Sequence, residues 1–237
     1  LIFTILFIQA MSLANDSVVT DNHSLSFDGM NDYVNLGNPN DFNYLLDSDF
    51  SIAFDFQSSS YDHQTILSMG DGGANYQNRS IHIFLDNGEI KAQFRGNYES
   101  NTTRVSSSYA LNQYHNVVFS RDIDNIFELW IDGVLVDVET DIAGVADPFT
   151  EDRPLLLGTM TGFPAAPAGD SYYYDFFNGH IDNLSIWANI LTDPQIQYHM
   201  SIPPDHNQSG LVGFWDFNEG TGSTLLDKTS NENNGMI

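Results

Sequence analysis

Two tight turns constrain this chain more than any other feature. Ser80–Leu85 runs through Asp86-Asn87-Gly88 into Glu89–Arg95, and Ile126–Ile131 runs through Asp132-Gly133 into Val134–Val138. Asn-Gly and Asp-Gly accept the positive φ angles of type I′ turns, so each pair is expected to fold back as an antiparallel hairpin. In the second pair Phe127, Leu129 and Ile131 alternate with Glu128, Trp130 and Asp132, which predicts one face toward a core and the other toward water. The same punctuation recurs along the chain. β-branched and aromatic runs at Ser24–Asp28, Asp32–Leu36, Phe50–Gln57, Gln64–Met69, His115–Arg121, Leu155–Gly158 and Phe177–Trp187 are separated by Gly, Asn, Asp and Ser clusters, and long amphipathic helical patterns are absent. One short helix is expected at Asp193–His199, with Thr192 as its cap and Pro194 in its first turn. The pattern is that of an all-β protein, an antiparallel double sheet with one small helix.

Charge narrows what such a protein can meet. Seven Lys+Arg against 32 Asp+Glu give a formal charge of -25, a field that repels phosphate backbones and anionic lipid surfaces. Nucleic acid and membrane surfaces are therefore not expected partners. Residues 1–14 open with the apolar run Leu1–Ile8 and close on Ser12-Leu13-Ala14, the small-residue ending of a secretory signal peptide, too short to span a bilayer. A buried first strand is the other reading of that run. Export implies a secreted or surface location, with no membrane insertion once the signal is removed. A secreted domain without cysteine must draw its stability from core burial, helped by any ion it binds.

The stretch Asp147–Asp175 carries four prolines and then Tyr172-Tyr173-Tyr174, and a loop of that length in a compact domain is commonly functional. Residues 201–210, with Pro203-Pro204, read as a linker, and 211–237 have a second character that begins Leu211-Val212-Gly213-Phe214-Trp215.

Several segments resemble laminin-G-like jelly-roll domains, of the concanavalin A-like class to which pentraxins are related. Phe27-Asp28-Gly29-Met30-Asn31-Asp32-Tyr33-Val34 is similar to their opening strand pair. Phe127–Val136, Leu155-Leu156-Leu157-Gly158 and Asn178–Trp187 are similar to later strands, in consistent order over residues 22–200. The resemblance implies a two-sheet jelly-roll sandwich for 22–200. Residues 211–237 resemble the start of a second such module, through Gly213–Gly222, Asp227 and Ser230–Gly235; the alternative is an edge strand of the first sandwich.

The class also implies function. A non-catalytic module binding a glycan or an extracellular protein, carried with other modules of a larger secreted or surface polypeptide, is the leading expectation. A glycoside hydrolase or polysaccharide lyase on the same scaffold, and a structural spacer in an adhesin, are the alternatives. Paired carboxylates would be needed for hydrolysis, and Asp122, Asp124 and Glu128 do not supply them, since the first position is Asp rather than Glu and Glu128 lies four residues after Asp124 with a turn expected between. No catalytic residue is expected. For sugar contact, Tyr76, Tyr98, Tyr172, Tyr173 and Tyr174 are the candidates, because flat rings with a polar tip suit a sugar's apolar face. Alternate members of the Tyr run could instead enter the core. For Ca²⁺, the resemblance points to Asp71, Asn75, Asp170 and Asp175 on two neighbouring loops, since calcium takes roughly six to eight oxygens. Against it, the Glu-Gln-Asp cluster of pentraxins is replaced by Thr159-Met160-Thr161, and solvated loop carboxylates account for the same residues.

Overall fold

The computed structural model describes residues 23–37, 42, 45, 48–69, 80–95, 102–140, 154–162 and 172–237; the expected signal peptide at 1–14 lies outside them. The strands in chain order are β1 (Leu25–Asp28), β2 (Val34–Asn35), β3 (Phe50–Ser58), β4 (Gln64–Met69), β5 (Ser80–Asp86), β6 (Glu89–Arg95), β7 (Thr102–Ser108) and β8 (His115–Arg121). They continue as β9 (Ile126–Ile131), β10 (Val134–Thr140), β11 (Leu155–Leu157), β12 (Met160–Gly162), β13 (Tyr172–Tyr174) and β14 (Asn178–Trp187). Helix α1 (Asp193–His199) precedes β15 (Leu211–Trp215), β16 (Thr224–Leu225) and β17 (Gly235–Met236).

Period-two alternation sorts these strands into two facing sheets. On β3, Phe50, Ile52, Phe54 and Phe56 are buried in the main core, while Ser51, Ala53, Asp55 and Gln57 point the other way. The first sheet runs β1-β14-β3-β8-β9-β10, with β15 also on β14; the second runs β16-β17-β2-β11-β4-β5-β6-β7. All described pairings are antiparallel. Between the sheets, Ile81, Ile83 and Leu85 of β5 and Ile90, Ala92 and Phe94 of β6 meet the inward residues of β3, β8 and β9. Both hairpin turns have the expected conformation, with Asn87 and Gly88 at φ 53° and 82° and Asp132 and Gly133 at 51° and 72°. The fold is the all-β, two-sheet sandwich with one short helix that the alternation and the family resemblance predict.

The structure departs from the sequence reading in four places. Trp130, expected toward water, is 7% exposed, because α1 lies over the outer face of the first sheet and seals a second cluster there, with Ile196, Trp187, Leu191 and Phe214. Thr102–Ser108 is a strand although it contains a single aliphatic residue, since it needs only Thr103 and Val105 to face the core from a sheet edge. Within the expected 147–175 loop, β12 and β13 pair as a short ribbon.

The fourth departure concerns 211–237. Of the two readings, second module or edge strand, the pairing follows the edge-strand alternative: these residues join both sheets of the one sandwich, and 201–210 connects α1 to β15. β15 pairs with β14, Trp215 enters the main core, and β17 pairs with β2 on the opposite sheet. The edge of β14 beyond β1 would otherwise be open. Asp227, 7% exposed, clasps the segment. Its Oδ1 accepts from the N–H groups of Phe214 at 3.0 Å and Thr229 at 2.9 Å, and its Oδ2 accepts from Asn233 N–H at 3.0 Å and Thr229 Oγ1 at 2.8 Å. Asp227→Ala would orphan buried backbone donors and lose charge-assisted bonds, so it is expected to cost about 3 kcal/mol in denaturant unfolding. A loss under about 1 kcal/mol would show that the clasp is dispensable.

Candidate functional site

Alternation leaves each sheet an outer face. On the second sheet, register lines up three rows across β5, β6 and β7: Phe84, Lys91 and Ser106; His82, Gln93 and Arg104; Ser80, Arg95 and Thr102. Ser68 of β4 extends the middle row beside His82. Of these positions Ser68, Ser80, His82, Phe84, Lys91, Gln93 and Arg104 border a hollow of about 380 Å³, together with Met160, Tyr174 and Asp175. Strands hold the side chains at fixed spacing, which is a more rigid mounting than loops provide.

The hollow is a network of polar contacts over a ring base. His82 stacks on Phe84 at 4.4 Å between centroids, and its Nε2 meets Thr65 Oγ1 at 2.9 Å. Arg104 sits over Phe84 at 5.6 Å, and its Nη2 and Nε donate to Gln93 Oε1 at 2.7 and 3.3 Å. Lys91 Nζ binds Asp86 at 2.7 Å, which holds the Asp86 carboxyl below its ordinary range. His63 bridges Asp175 at 3.3 Å and Asp86 at 3.6 Å; the bond to Asp175 is the main cause that raises its pKa, with burial opposing. At the rim, Asp175 holds a positive φ of 56° and its carbonyl accepts from Thr65 N–H at 2.7 Å.

Of the expected sugar-contact residues, Tyr174 lines this hollow. Tyr173, on the opposite face of the β12–β13 ribbon, stacks on Tyr33 at 4.5 Å, and burial there raises its phenol pKa. Tyr172 pairs with Gly162 through the backbone. Tyr76 and Tyr98 lie outside the described residues, as do the calcium candidates Asp71, Asn75 and Asp170. Asp175 alone is too small a ligand set, and no group of three acidic or histidine side chains among the described residues has metal-holding geometry. Asp122 and Glu128 are engaged locally, Asp122 accepting from Ile126 N–H at 2.8 Å and Glu128 from Trp130 Nε1 at 3.1 Å. Sequence reasoning missed Gln93 and Arg104. The signal was present in Lys91, Gln93 and Arg95 on alternate positions, a basic strand face in an acidic chain.

A second groove crosses the outer face of the first sheet, where two hollows of about 440 and 420 Å³ share Asp55, Asn116, Asn183 and Met200. Asp55 and Asp182 are direct cross-strand partners beside a bulge at Asn183, whose φ is 51°. Asp55 accepts from Asn116 and Asn183 side-chain amides, each at 2.9 Å, yet desolvation still raises its pKa. Asp182, 5% exposed, is pushed up to about 7, first by desolvation and then by the charges of Asp55 and Asp216, against a bond from Asn183 N–H. Because its folded pKa lies above the ordinary 3.8, the folded state holds this proton more tightly than the unfolded chain does. Stability is therefore lost as pH rises from about 4 to about 7 and is level beyond. Asp182→Asn is expected to melt with wild type near pH 4 and to gain an advantage on the order of 2 kcal/mol by pH 8. A pH-independent difference in melting would show that desolvation of Asp182 is not what the fold feels.

Solved structures share this fold. The CBM40 of the Ruminococcus gnavus IT-sialidase, bound to α2,3-sialyllactose, superposes with a TM-score of 0.58 at 16% identity, over 74% of this chain and 95% of that one. The NanB sialidase of Streptococcus pneumoniae, as its K499G mutant, matches with a TM-score of 0.55 at 17% identity, over 76% of this chain and 27% of that one. A SAP-like pentraxin of Limulus polyphemus matches with a TM-score of 0.50 at 12% identity, over 78% of this chain and 82% of that one. At these identities the likeness is one of fold. Among curated proteins none matches the sequence. Residues 28–197 match the Laminin_G_3 family of the concanavalin A-like lectin/glucanases superfamily, and with most of its length inside that match the chain belongs to this family.

Proposed function

We propose that this chain is a non-catalytic glycan-binding module of an exported protein, and that it takes its ligand in the hollow on the outer face of the second sheet. The observation that carries this reading is the rigid row Ser68, His82, Gln93 and Arg104, laid across four neighbouring strands. A fixed array of donors and acceptors with little apolar lining suits a polyhydroxylated ligand better than a hydrophobic one. Tyr174 at the edge can cover a sugar's apolar face. The fold shared with a CBM40 bound to sialyllactose supports the same reading. Binding without turnover is favoured because both carboxylates bordering the hollow are committed, Asp86 to Lys91 and Asp175 to His63. Paired acids for hydrolysis would have to be free to exchange protons with the substrate.

A glycan array followed by calorimetric titration tests the proposal. Gln93→Ala and Tyr174→Ala should each weaken the best glycan about tenfold, as the loss of ~1.4 kcal/mol predicts, while Asp182→Asn on the other sheet leaves affinity unchanged. The opposite pattern would move the site to the first-sheet groove, and release of reducing ends would make the module an enzyme. Calcium at the rim beside Asp175 is a separate part of the proposal. It predicts a higher melting temperature with Ca²⁺ than with chelator, by binding to the folded state alone, and equal melting would remove it.

A further inference from the structure

We infer that the glycan carries a carboxylate, and that Arg104 reads it. This rests on the glycan-binding reading and specifies its ligand class. In a chain with 32 acidic and seven basic residues, four basic side chains are described, and their surroundings differ. Lys91 is held by Asp86 and Glu89, and Lys228 by Asp216 and Glu219. Arg121 is only 9% exposed and lies over Phe94. Arg104 is exposed, borders the hollow, and meets no carboxylate among the described residues.

Its fork is also aimed. Gln93 Oε1 takes the Nε and Nη2 donors on one side, and the Phe84 ring fixes the guanidinium plane from below. What remains is the Nη1 edge with the second Nη2 hydrogen, the two parallel donors that match a planar carboxylate end on. Gln93 Nε2 has no acceptor among the described residues, and Gln93 borders the same hollow, so this amide is available to a neighbouring sugar oxygen. Gln93 is thus a positioning residue for Arg104. In a protein of net charge -25 an anionic ligand is otherwise repelled, so a local guanidinium would decide whether it binds. The carboxylate could belong to a sialic acid or to a uronic acid, and the fork does not distinguish them.

Titration with two acid–neutral pairs tests this: α2,3-sialyllactose against lactose, and tetragalacturonate against its methyl ester. The acid member of at least one pair should bind about tenfold or more tightly than its neutral partner, and weaken with added salt. Which pair shows the preference names the source. Arg104→Gln should abolish the preference, so that the acid member binds no more tightly than the neutral one. Arg104→Lys, which keeps the charge but not the fork, should restore only part of it. Arg104 is exposed on an edge strand, and an unchanged circular dichroism melt confirms that the variants fold. Equal affinity within both pairs, or an acid preference untouched in Arg104→Gln, would overturn the inference and leave a neutral-glycan module standing. Absence of binding to any member and to the wider array would overturn the glycan reading itself.

Discussion

The inward row of β3, Phe50, Ile52, Phe54 and Phe56, is the constraint on which the rest of the sandwich depends. Residues on one face of a strand are locked to every second position, so burying this row commits Ser51, Ala53, Asp55 and Gln57 to the far side. Pairing then propagates the choice. β8 and β14 flank β3 in register, and their own inward residues, Val117, Phe119, Ile181, Leu184 and Ile186, complete the layer that the second sheet packs against. A slip of one residue would turn Asp55 and Asp182 into the core, at the desolvation cost of two carboxylates, and that cost keeps the register unique.

The two outer faces that result have different fates for a physical reason. On the first sheet, Ala53, Val118, Trp130, Trp187 and Phe214 form an apolar surface too large to leave in water, and Ile196 of α1 covers it together with Leu191 just before the helix. On the same outer face Asp55 and Asp182 are desolvated by burial, which is why their acidity is weakened. On the second sheet the outer positions of β5, β6 and β7 are mostly polar and need no cover. Among the described side chains there, Lys91 is paired with Asp86, while Arg104 meets Gln93 and no carboxylate, so that a strongly acidic protein presents a guanidinium in a polar hollow.

The C-terminal segment shows how a family motif can be legible in its chemistry while the sequence leaves its place open between a second module and an edge strand. Its Trp215, Asp227 and Asn233 resemble a module opening, and they do the work of one: Asp227 ties the turn to β15 and Trp215 donates to the Asn233 carbonyl at 3.0 Å. A local motif closes its own hydrogen bonds wherever the chain runs. Which sheet edge it then joins depends on strands nearly 200 residues earlier, β2 among them.

Much of the fold was legible in the residues themselves. β4, β8 and α1 fall where alternation and capping predict, and the two hairpins turn at Asn87-Gly88 and Asp132-Gly133 because those signals are local. β7 was not legible, since Thr102–Ser108 owes its strand to an edge supplied by β6 rather than to its own hydrophobicity. The same holds for the site. Tyr174 and Asp175 stand out in sequence, but Gln93 and Arg104, eleven residues apart, become neighbours only through antiparallel register. The sequence by itself determined the sandwich, its turns and its acidity, because these follow from residue type and spacing along the chain. Only the tertiary structure decided that Trp130 is covered, that 211–237 closes both sheets and that Arg104 faces a hollow, because each depends on distant strands meeting side by side.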